Sequence, residues 1–329
     1  MPRDLAIDLG SASIQVIDRE AGLLMDEPSV IAVDDTTGSV VAVGDDARAL
    51  VGHAPGAVRI QHPVQRGTIT DYAVAAKLVG AVLRRLGARR AARPRVLMVC
   101  SAAATSVERR ALIDVASEAG AAKVELIEQP LAAAIGVDLA IQEPTGSVVV
   151  SMGAGTTEAA LISLGGIVSK VVSRTGGDDV NHALATALRL GASVAIGERA
   201  AEEVKRALPS LLEDPARSLD VVGRDATAGE PASVLLHGDQ VEAAIAEVRR
   251  TMVETVTRAL AAAPPELAQD AIDGGIHLVG GGSLLTGLAE QVAAAADVPA
   301  VTYPDPHRLA AQGAGRCLGA MSSLRVIFS

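Results

Sequence analysis

The sequence predicts an α/β fold made of two similar halves with a ligand site between them. The first observation is a pair of stretches with the same layout, residues 5–13 near the N-terminus and residues 148–157 in the middle of the chain. Each is an apolar strand that leads into glycine and small hydroxyl residues, and a second strand follows at once. Two such hairpins, roughly 140 residues apart, indicate a duplicated domain with a ligand clamped between the halves.

The second observation is the order of the elements, in which strands come first and then alternate with helices, as is typical of α/β proteins. A chain of 329 residues also suits two domains of ordinary size. In the first half we expect strands at 5–9, 13–18, 29–34, 39–43, 96–100 and 124–128, and helices at 45–51, 71–86, 105–119 and 131–137. In the second half we expect, besides the central hairpin, strands at 167–173 and 276–279, and helices at 180–190, 197–208, 241–262, 284–296 and 309–322.

Individual residues mark several helix ends. Asp71 is a good N-cap for the second helix, and either Thr105 or Ser106 is a good N-cap for the third. Pro130 suits the first turn of the fourth helix, whereas Pro209 is expected to end the helix that begins at residue 197. The polar stretch 214–238 is predicted to be an irregular or short-stranded insertion.

Composition and charge exclude several classes of protein. The formal net charge is −10, so no overall basic field attracts nucleic acid. The aromatic residues are Tyr72, Tyr303 and Phe328, without tryptophan, which argues against base-stacking platforms and aromatic sugar sites. We therefore expect no nucleic-acid partner.

Cysteine usage and the N-terminus predict the compartment. Cys100 and Cys317 have apolar or small neighbours and no C-x-x-C spacing, as expected of buried free thiols in a reducing cytoplasm. The chain enters a strand almost immediately, so we expect no signal peptide. No apolar run reaches the roughly 18 residues of a membrane span. These observations predict a cytoplasmic protein.

The turn G-A-G-T-T at residues 153–157 suits an anion. Glycines let the backbone N–H groups approach an anion closely, and the threonine hydroxyls can join them. The alternative is an ordinary glycine-rich β-hairpin without a ligand. The similar hairpin at residues 5–17 favours the first interpretation.

With the two hairpins, E-Q-P-L-A-A-A-I-G at residues 128–136 and L-V-G-G-G-S-L-L at residues 278–285 in place, the chain resembles the actin-like ATPase superfamily. Within it, the chain resembles the MreB/Mbl family of bacterial actins that maintain rod shape. Further similar stretches lie at residues 26–33, 143–150, 162–168, 196–205 and 264–268. The resemblance covers nearly the whole chain and several motifs occur in the family's order.

The resemblance implies a two-lobed, actin-like fold of duplicated ribonuclease-H-like domains, with a nucleotide cleft between the lobes. The first lobe would comprise residues 1–143 and 305–329, with a small subdomain at about 32–70. The second lobe would comprise residues 144–304, with a small subdomain at about 190–245. The last helix must return to the first lobe to complete this topology.

The resemblance also implies a site for ATP or ADP with Mg²⁺. The first phosphate loop would be formed by Gly10, Ser11, Ala12 and Ser13, and the second by Gly153, Ala154, Gly155, Thr156 and Thr157. The turn at Gly177 and Asp178 would lie beside them, Glu202 and Lys205 would reach the ribose and adenine, and the adenosine would be approached by Gly280, Gly281, Gly282 and Ser283. For Glu202 and Lys205 the alternative is a solvated helix pair. For the three glycines it is a plain strand-to-helix turn.

The catalytic residues implied by the family are Asp8, Glu128 and Gln129. The chain departs from the family's pattern at Gln129 itself and at two positions of the second hairpin, Ser151 and Ala154. Asp8 would hold the water shell of Mg²⁺, which keeps several waters and uses few carboxylates. Ser151 stands where the family has aspartate, and Ala154 replaces a glycine. Gln129 replaces the glutamate that orients the attacking water, and an amide can orient water but cannot act as a carboxylate base. We therefore expect ATP binding with slow hydrolysis.

The main functional hypothesis is a cytoskeletal filament that organises cell-wall synthesis and cell shape. Its partners would be further copies of itself, other MreB-type proteins and membrane-bound wall-synthesis proteins. The arginines between Arg84 and Arg95, or the tail 324–328, would make a peripheral contact with the inner face of the plasma membrane. The alternatives are a degenerate nucleotide-binding regulator of a true MreB, and a small-molecule kinase or chaperone-type ATPase of the same superfamily.

Overall fold

The structure is a computed structural model that describes residues 3–87 and 93–320. The elements before residue 144 are, in chain order, β1 (Asp4–Leu9), β2 (Ser13–Asp18), β3 (Gly22–Pro28), β4 (Ile31–Asp34), β5 (Val40–Val43), α1 (Asp45–Ala49), β6 (Val58–Gln61), β7 (Val64–Gln65), β8 (Thr68–Ile69), α2 (Tyr72–Arg85), β9 (Arg95–Cys100), α3 (Ser106–Glu118), β10 (Lys123–Glu128) and α4 (Gln129–Gly136).

The later elements are β11 (Ser147–Met152), β12 (Thr157–Ser163), β13 (Gly166–Ser173), α5 (Gly177–Gly191), β14 (Val194–Ala195), α6 (Glu198–Glu213), β15 (Leu219–Asp225), β16 (Pro231–Leu236), α7 (Gly238–Ala261), α8 (Pro265–Gly274), β17 (Ile276–Val279), α9 (Leu288–Ala296), β18 (Ala300–Val301) and α10 (Leu309–Cys317). Short 3₁₀ turns lie at Gly281–Leu284, Pro306–Arg308 and Leu318–Ala320.

Two five-stranded sheets with the same plan form the centre of the molecule. The first has the strand order β10-β9-β1-β2-β3, and the second has the order β13-β12-β11-β17-β18. In each, three consecutive strands form an antiparallel meander, and two later strands extend it in parallel. The predicted duplication is therefore confirmed, and the chain has the two-lobed α/β fold expected from the sequence.

The strand register places equivalent residues of the two hairpins in equivalent pairs. Asp8 of β1 pairs with Gln15 of β2, and Ser151 of β11 pairs with Glu158 of β12. Because residues paired across antiparallel strands share a face of the sheet, Glu158 lies on the same face as Ser151. This pairing puts a carboxylate beside the position where the family pattern has one.

Helices α4 and α10 pack against each other in a core that joins the two sheets. This core contains Ala6 and Leu97 of the first sheet, and Val149 and Ala160 of the second. The two helices cross at backbone distance, since a Cβ added to Gly313 would lie 1.8 Å from the carbonyl oxygen of Ala132. Helix α10 also contacts β1, β2 and β9 of the first sheet. These contacts support the prediction that the last helix belongs to the first lobe.

Two smaller sheets lie in the regions predicted as small subdomains. Strands β5, β4 and β6 form one, which packs with α1 around a small core of Val30, Ala32 and Ala47. Strands β14, β15 and β16 form the other, which shares a core with α5, α6 and α7. The exact boundaries of the lobes and subdomains remain a prediction.

Helix α6 shows where the sequence prediction was wrong. Pro209 was expected to end this helix, but the helix continues through it to Glu213. The reason is its buried face, because Leu208 and Leu211 both pack into the core and continue the apolar stripe of Ala201 and Val204. Packing of this stripe outweighs the hydrogen bond that proline cannot donate. The polar stretch after α6 contains the strands β15 and β16, which agrees with the short-stranded alternative, whereas β3 was not predicted.

Other local predictions are confirmed. The carboxylate of Asp71 caps α2 by accepting from the N–H of Val74 at 3.0 Å, and Thr105 caps α3 in a capping box with Glu108. Cys100 and Cys317 are buried free thiols. None of the helices in the described part of the chain combines the length and apolar character needed to cross a membrane. Of the residues predicted to contact the membrane, Arg89, Arg90 and the tail 324–328 lie outside the described residues. Among the described ones, Arg85 pairs with Glu27, Arg95 pairs with Asp4, and Arg93 donates to the carbonyls of Gly120 and Ala121.

Candidate functional site

The turns of the two predicted phosphate hairpins contact each other. A Cβ added to Gly155 of the second hairpin would lie 2.5 Å from Oγ of Ser11 in the first hairpin, and 2.6 Å from Cα of Arg66. A Cβ added to Gly67, whose φ is +71°, would lie 2.7 Å from Cγ2 of Thr156. The N–H of Gly67 donates to Oγ of Ser11 at 3.2 Å. The β7–β8 turn is therefore a third wall of the cleft, which the sequence did not reveal.

The first hairpin turn is closed by its own backbone. The N–H of Gly10 donates to the carbonyl of Ser13 at 2.9 Å, and the carbonyl of Ala12 accepts from the N–H of Ser29 at 3.0 Å. The second turn is closed in the same way, with the N–H of Gly153 donating to the carbonyl of Thr156 at 2.8 Å. Both turns are thus held as tight loops by equivalent hydrogen bonds.

The N-terminus of α5 lies directly on the second hairpin. The N–H of Gly177 donates to the carbonyl of Gly153 at 3.0 Å, and the N–H of Asp178 donates to the carbonyl of Ala154 at 2.9 Å. A Cβ added to Gly176 would lie 2.5 Å from the oxygen of Ala154, so only glycine allows this approach. Gly177 and Asp178 are therefore part of the same group of residues as the second hairpin.

Glu202 and Lys205 extend this group onto α6. Nζ of Lys205 lies 2.6 Å from Glu202 and donates to the carbonyl of Gly177 at 3.1 Å. The carboxylate of Glu202 also accepts from Nδ2 of Asn181 at 3.0 Å and from Arg206 at 2.8 Å. Burial works to raise the pKa of Glu202, but the hydrogen bonds from Lys205 and Arg206 outweigh it and lower the pKa to about 2. The pair is thus more than a solvated helix pair, because it joins α6 to the start of α5.

The glycine turn after β17 lies against the end of β11. A Cβ added to Gly280, whose φ is +82°, would lie 2.3 Å from the carbonyl oxygen of Met152, and one added to Gly282 would lie 2.9 Å from it. The hydroxyl of Ser283 donates to the carbonyl of Gly280 at 2.7 Å, which tightens the turn that also contains Gly281. The turn is a 3₁₀ helix, and α9 begins only at Leu288, later than predicted. The glycine turn therefore lies next to the second hairpin.

Thr157 has a structural role in the hairpin. Its side chain is fully buried, and its hydroxyl donates to the carbonyl of Thr175 at 2.9 Å. The donor of this hydroxyl is therefore already used. The hydroxyl of Thr156 donates instead to the carboxylate of Glu158 at 3.3 Å.

Asp8 lies near the end of β1 and is half-buried, and the charge of a second carboxylate, Glu158, acts on it. Burial and the charge of Glu158 together raise the pKa of Asp8 to about 7. Glu158 is fully buried, and burial raises its pKa too, although the hydrogen bond from the Ala102 N–H at 2.8 Å acts in the opposite direction. Ser151, its partner across the strands, is buried with 1% of its surface exposed.

Glu158 is the site residue that sequence reasoning missed. The available signal was a charged residue inside β12, whose sequence T-E-A-A-L-I-S is otherwise uncharged and entirely buried. A buried carboxylate without a function is rare, because desolvation disfavours its charged form.

Glu128 and Gln129 differ in how strongly they are held. Glu128, which precedes α4, forms ion pairs with Arg109 of α3 and, at 3.4 Å, with Lys170 of β13. Gln129 is half-buried at the start of α4, and its side chain has no hydrogen-bond partner within residues 3–87 and 93–320. Gln129 is therefore the freer of the two to hold a water molecule.

Ion pairs also cross the cleft. Arg66 of the β7–β8 turn pairs with Asp179 of α5 at 3.0 Å, and Arg174 after β13 pairs with Glu108 of α3 at 2.8 Å. Hydrogen bonds from the Thr105 N–H, and then from Arg174 and Thr68, lower the pKa of Glu108 to about 2. These ion pairs join the first half of the chain to the second.

Comparison with known proteins identifies the family. The family profile described as MreB/Mbl protein matches residues 2–326. The cell shape-determining protein Mbl of Bacillus subtilis (strain 168) is 34% identical over 324 residues, 98% of this chain and 97% of that protein. The cell shape-determining protein MreB of Escherichia coli (strain K12) is 38% identical over 322 residues, 96% of this chain and 93% of that protein. The crystal structure of MreB5 of Spiroplasma citri bound to AMPPNP has a TM-score of 0.91 and 28% identity, with 99% of this chain and 98% of that chain covered. Because sequence and fold agree over nearly the whole length, this chain belongs to the MreB/Mbl family of actin-like cytoskeletal proteins.

Proposed function

We propose that this chain binds ATP in the cleft between its two hairpins and assembles into filaments that organise cell-wall synthesis and cell shape. The observation that carries the proposal is the contact of Gly155 with Ser11 and Arg66, which brings both phosphate-type turns to one place. The relative MreB5, similar over 99% of this chain, was solved with AMPPNP bound. Relatives named for determining cell shape support the cellular role.

In this proposal the backbone of the two turns holds the phosphates. Residues 10–13 and 153–156 would supply N–H groups and hydroxyls, with Gly177 and Asp178 beside the second turn. Glu202 and Lys205 would bind the ribose and adenine, and residues 280–283 would lie along the adenosine. The contacts that join α5, α6 and the glycine turn to the second hairpin support this arrangement.

The side chains of this region could bind magnesium only together with phosphate oxygens of the nucleotide. Within the described residues, no group of three or more histidine, cysteine or acidic side chains could hold a metal ion alone. Burial and the charge of Glu158 nevertheless raise the pKa of Asp8, and a divalent cation would relieve the repulsion between the two carboxylates. Magnesium is commonly bound by one or two carboxylates together with substrate phosphates. When bound, it would neutralise charge on the phosphates, and Asp8 would hold its water shell.

Hydrolysis is proposed to be slow. Phosphoryl transfer depends on positioning of water and on neutralisation of the developing charge. Ser151 supplies no carboxylate for metal-bound water, and Gln129 can orient the attacking water without accepting its proton. The same two residues favour, as a second candidate, a regulator that binds nucleotide without polymerising alone.

We also propose the lobe boundaries predicted from the sequence and self-association into open-ended protofilaments. The contacts of α10 with α4, β1, β2 and β9 support the return of the chain to the first lobe. Peripheral contact with the plasma membrane, and with other MreB-type and membrane-bound wall-synthesis proteins, follows from the family and from the arginine cluster.

Two measurements test the proposal. Calorimetric titration of the purified chain with AMPPNP and with ADP, each with magnesium, should show one site per chain. Sedimentation with and without ATP should show assembly that grows with protein concentration and does not stop at a closed oligomer. A chain that binds nucleotide and stays monomeric would support the regulator instead. A chain that binds neither nucleotide would overturn both candidates.

A further inference from the structure

Both oxygens of the Glu158 carboxylate are engaged, and their partners come from opposite sides of the cleft. Oε2 accepts from the N–H of Ala102, which follows β9 of the first sheet, at 2.8 Å. Oε1 accepts from Oγ1 of Thr156 in the second hairpin at 3.3 Å. No part of the side chain is exposed. This carboxylate therefore connects the end of a first-sheet strand to the predicted phosphate turn.

Ala102 is itself held by the second sheet through both of its backbone polar groups. Its N–H donates to Glu158 of β12, and its carbonyl accepts from Nζ of Lys170 of β13 at 2.5 Å. A single residue of the first half is thus fixed between two strands of the second half. Any opening of the cleft that moves β9 away from β12 must break the bond to Glu158.

The side chain of Thr156 is fixed at both of its branches. Its methyl group packs against Gly67, where an added Cβ would lie only 2.7 Å from Cγ2. Its hydroxyl donates its single proton to Glu158. A hydroxyl has one donor and two acceptor lone pairs, so the lone pairs remain for a group in the cleft. A water molecule that carries protons fits such an acceptor, whereas a phosphate oxygen does not.

We propose that Glu158 is a positioning residue that accepts a hydrogen bond from the Thr156 hydroxyl. Because the only proton of this hydroxyl then points at Glu158, its lone pairs are left to accept a hydrogen bond from water in the cleft. The inference rests on the proposed ATP-binding function. It explains why a carboxylate is buried in an otherwise uncharged strand. It also links closure of the cleft to orientation of the hydroxyl, because the carboxylate is held in place by Ala102.

The first test separates binding from turnover. Glu158→Gln keeps the size of the side chain but provides one acceptor oxygen instead of two. Single-turnover phosphate release from ATP should fall by about 10- to 100-fold, the loss expected when a buried hydroxyl loses the acceptor of its hydrogen bond. The affinities for AMPPNP and ADP, measured by calorimetry, should change by less than about threefold, since the backbone of the turns holds the phosphates.

A double-mutant cycle tests whether Glu158 acts through Thr156. In a Thr156→Val background, which removes the hydroxyl at nearly constant shape, Glu158→Gln should slow phosphate release by less than about twofold. The matched control is Asp270→Asn. Asp270 of α8 also accepts from a backbone N–H, that of Gly146 at 2.8 Å, but it does so before β11 begins, at the opposite end of this strand from the second hairpin turn. This control should leave turnover unchanged.

Hydrogen exchange supplies a readout that needs no turnover. Exchange of the Ala102 amide in the AMPPNP-bound chain should speed up by about tenfold in Glu158→Gln and stay unchanged in Asp270→Asn. Equal exchange in all variants, additive effects of the two substitutions, or loss of affinity equal to the loss of turnover would overturn the proposal. So would a wild-type chain that binds ATP and releases no phosphate over days. Absence of nucleotide binding by the wild type would instead overturn the proposed function itself.

Discussion

The contact between the two hairpins can be tested by adding one methyl group. Gly155 and Gly153 lie two residues apart in the same turn, and neither requires a positive φ. The Cβ of Gly155→Ala would lie 2.5 Å from Oγ of Ser11, 2.6 Å from Cα of Arg66 and 2.8 Å from its backbone nitrogen. The Cβ of Gly153→Ala would meet nothing closer than 3.5 Å, to the carbonyl oxygen of Thr156. The two variants therefore differ in space and hardly in backbone preference.

The magnitude follows from these distances. Ordinary contacts between carbon atoms lie at about 3.5–4.0 Å, so the hairpins must separate by about 1 Å to accept the methyl group. Overpacking of this kind typically costs about 1–3 kcal/mol. If the strain is relieved by opening of the cleft, the affinity for ATP falls by roughly 5- to 150-fold. Gly153→Ala should change it by less than about threefold, since its methyl group meets no atom at overlapping distance.

The assay is calorimetric titration with AMPPNP and magnesium, together with thermal unfolding of both variants without nucleotide. A Gly155→Ala variant that is folded and binds AMPPNP as tightly as the wild type would refute the assignment of this turn to the nucleotide site. Equal losses in both variants would show that the turn, rather than its contact with Ser11 and Arg66, is what matters.

Further predictions concern charge, packing and turnover. For the nucleotide-free chain, the contribution of Asp8 to the free energy of unfolding should fall as pH rises from about 4 to 7, by at most about 4 kcal/mol, because the pKa of Asp8 is about 7 when folded and 3.8 when unfolded, so the folded state binds more protons. Urea unfolding across this range should show this slope as the difference between the wild type and Asp8→Asn. Arg249 is 5% exposed, and its Nε and Nη2 have no partner among the described residues, while its Nη1 pairs with Glu242, which is 43% exposed and stays hydrated without this partner. Arg249→Met should therefore leave the free energy of unfolding unchanged or raise it by up to about 4 kcal/mol, whereas exposed Arg250→Met should have little effect. A clear loss of stability in Arg249→Met, measured by urea unfolding, would contradict this. Ser151→Asp combined with Gln129→Glu should raise steady-state phosphate release by about tenfold or more and change ATP affinity less; equal turnover in the unmodified chain would show that these positions are wrongly assigned.

The parts of the fold that were predictable are those encoded by neighbours in sequence. Apolar strands that end at glycine and hydroxyl residues predicted both hairpins, since strand and turn signals act over a few residues. The helix N-caps were equally predictable, because Asp71 and Thr105 accept hydrogen bonds from N–H groups three residues later in the sequence. The duplication was predictable because the same local pattern occurs twice.

What could not be predicted depends on contacts between residues far apart in the chain. Gly67 and Ser11 are 56 positions apart, and nothing near Gly67 in the sequence marks it as a wall of the cleft. Ala102 and Glu158 are also 56 positions apart, and the role of this carboxylate becomes visible only when β9 and β12 meet. The continuation of α6 through Pro209 has the same cause. Tertiary burial of Leu208 and Leu211 overrides a local rule about proline.

The long-range contacts around Ser151 show what a serine at this position changes in the site. It is buried directly opposite Glu158, which is already close enough to Asp8 to raise its pKa. An aspartate at position 151 would place a third carboxylate in this region, and like charges in a buried site disfavour each other's ionised forms. Serine therefore removes a group that could order metal-bound water, and it also lowers the repulsion in the nucleotide-free cleft. In the proposed function, this exchange would lower the rate of the chemical step while the nucleotide-free cleft carries less repulsion, as would suit a filament subunit whose state depends on nucleotide binding more than on rapid turnover.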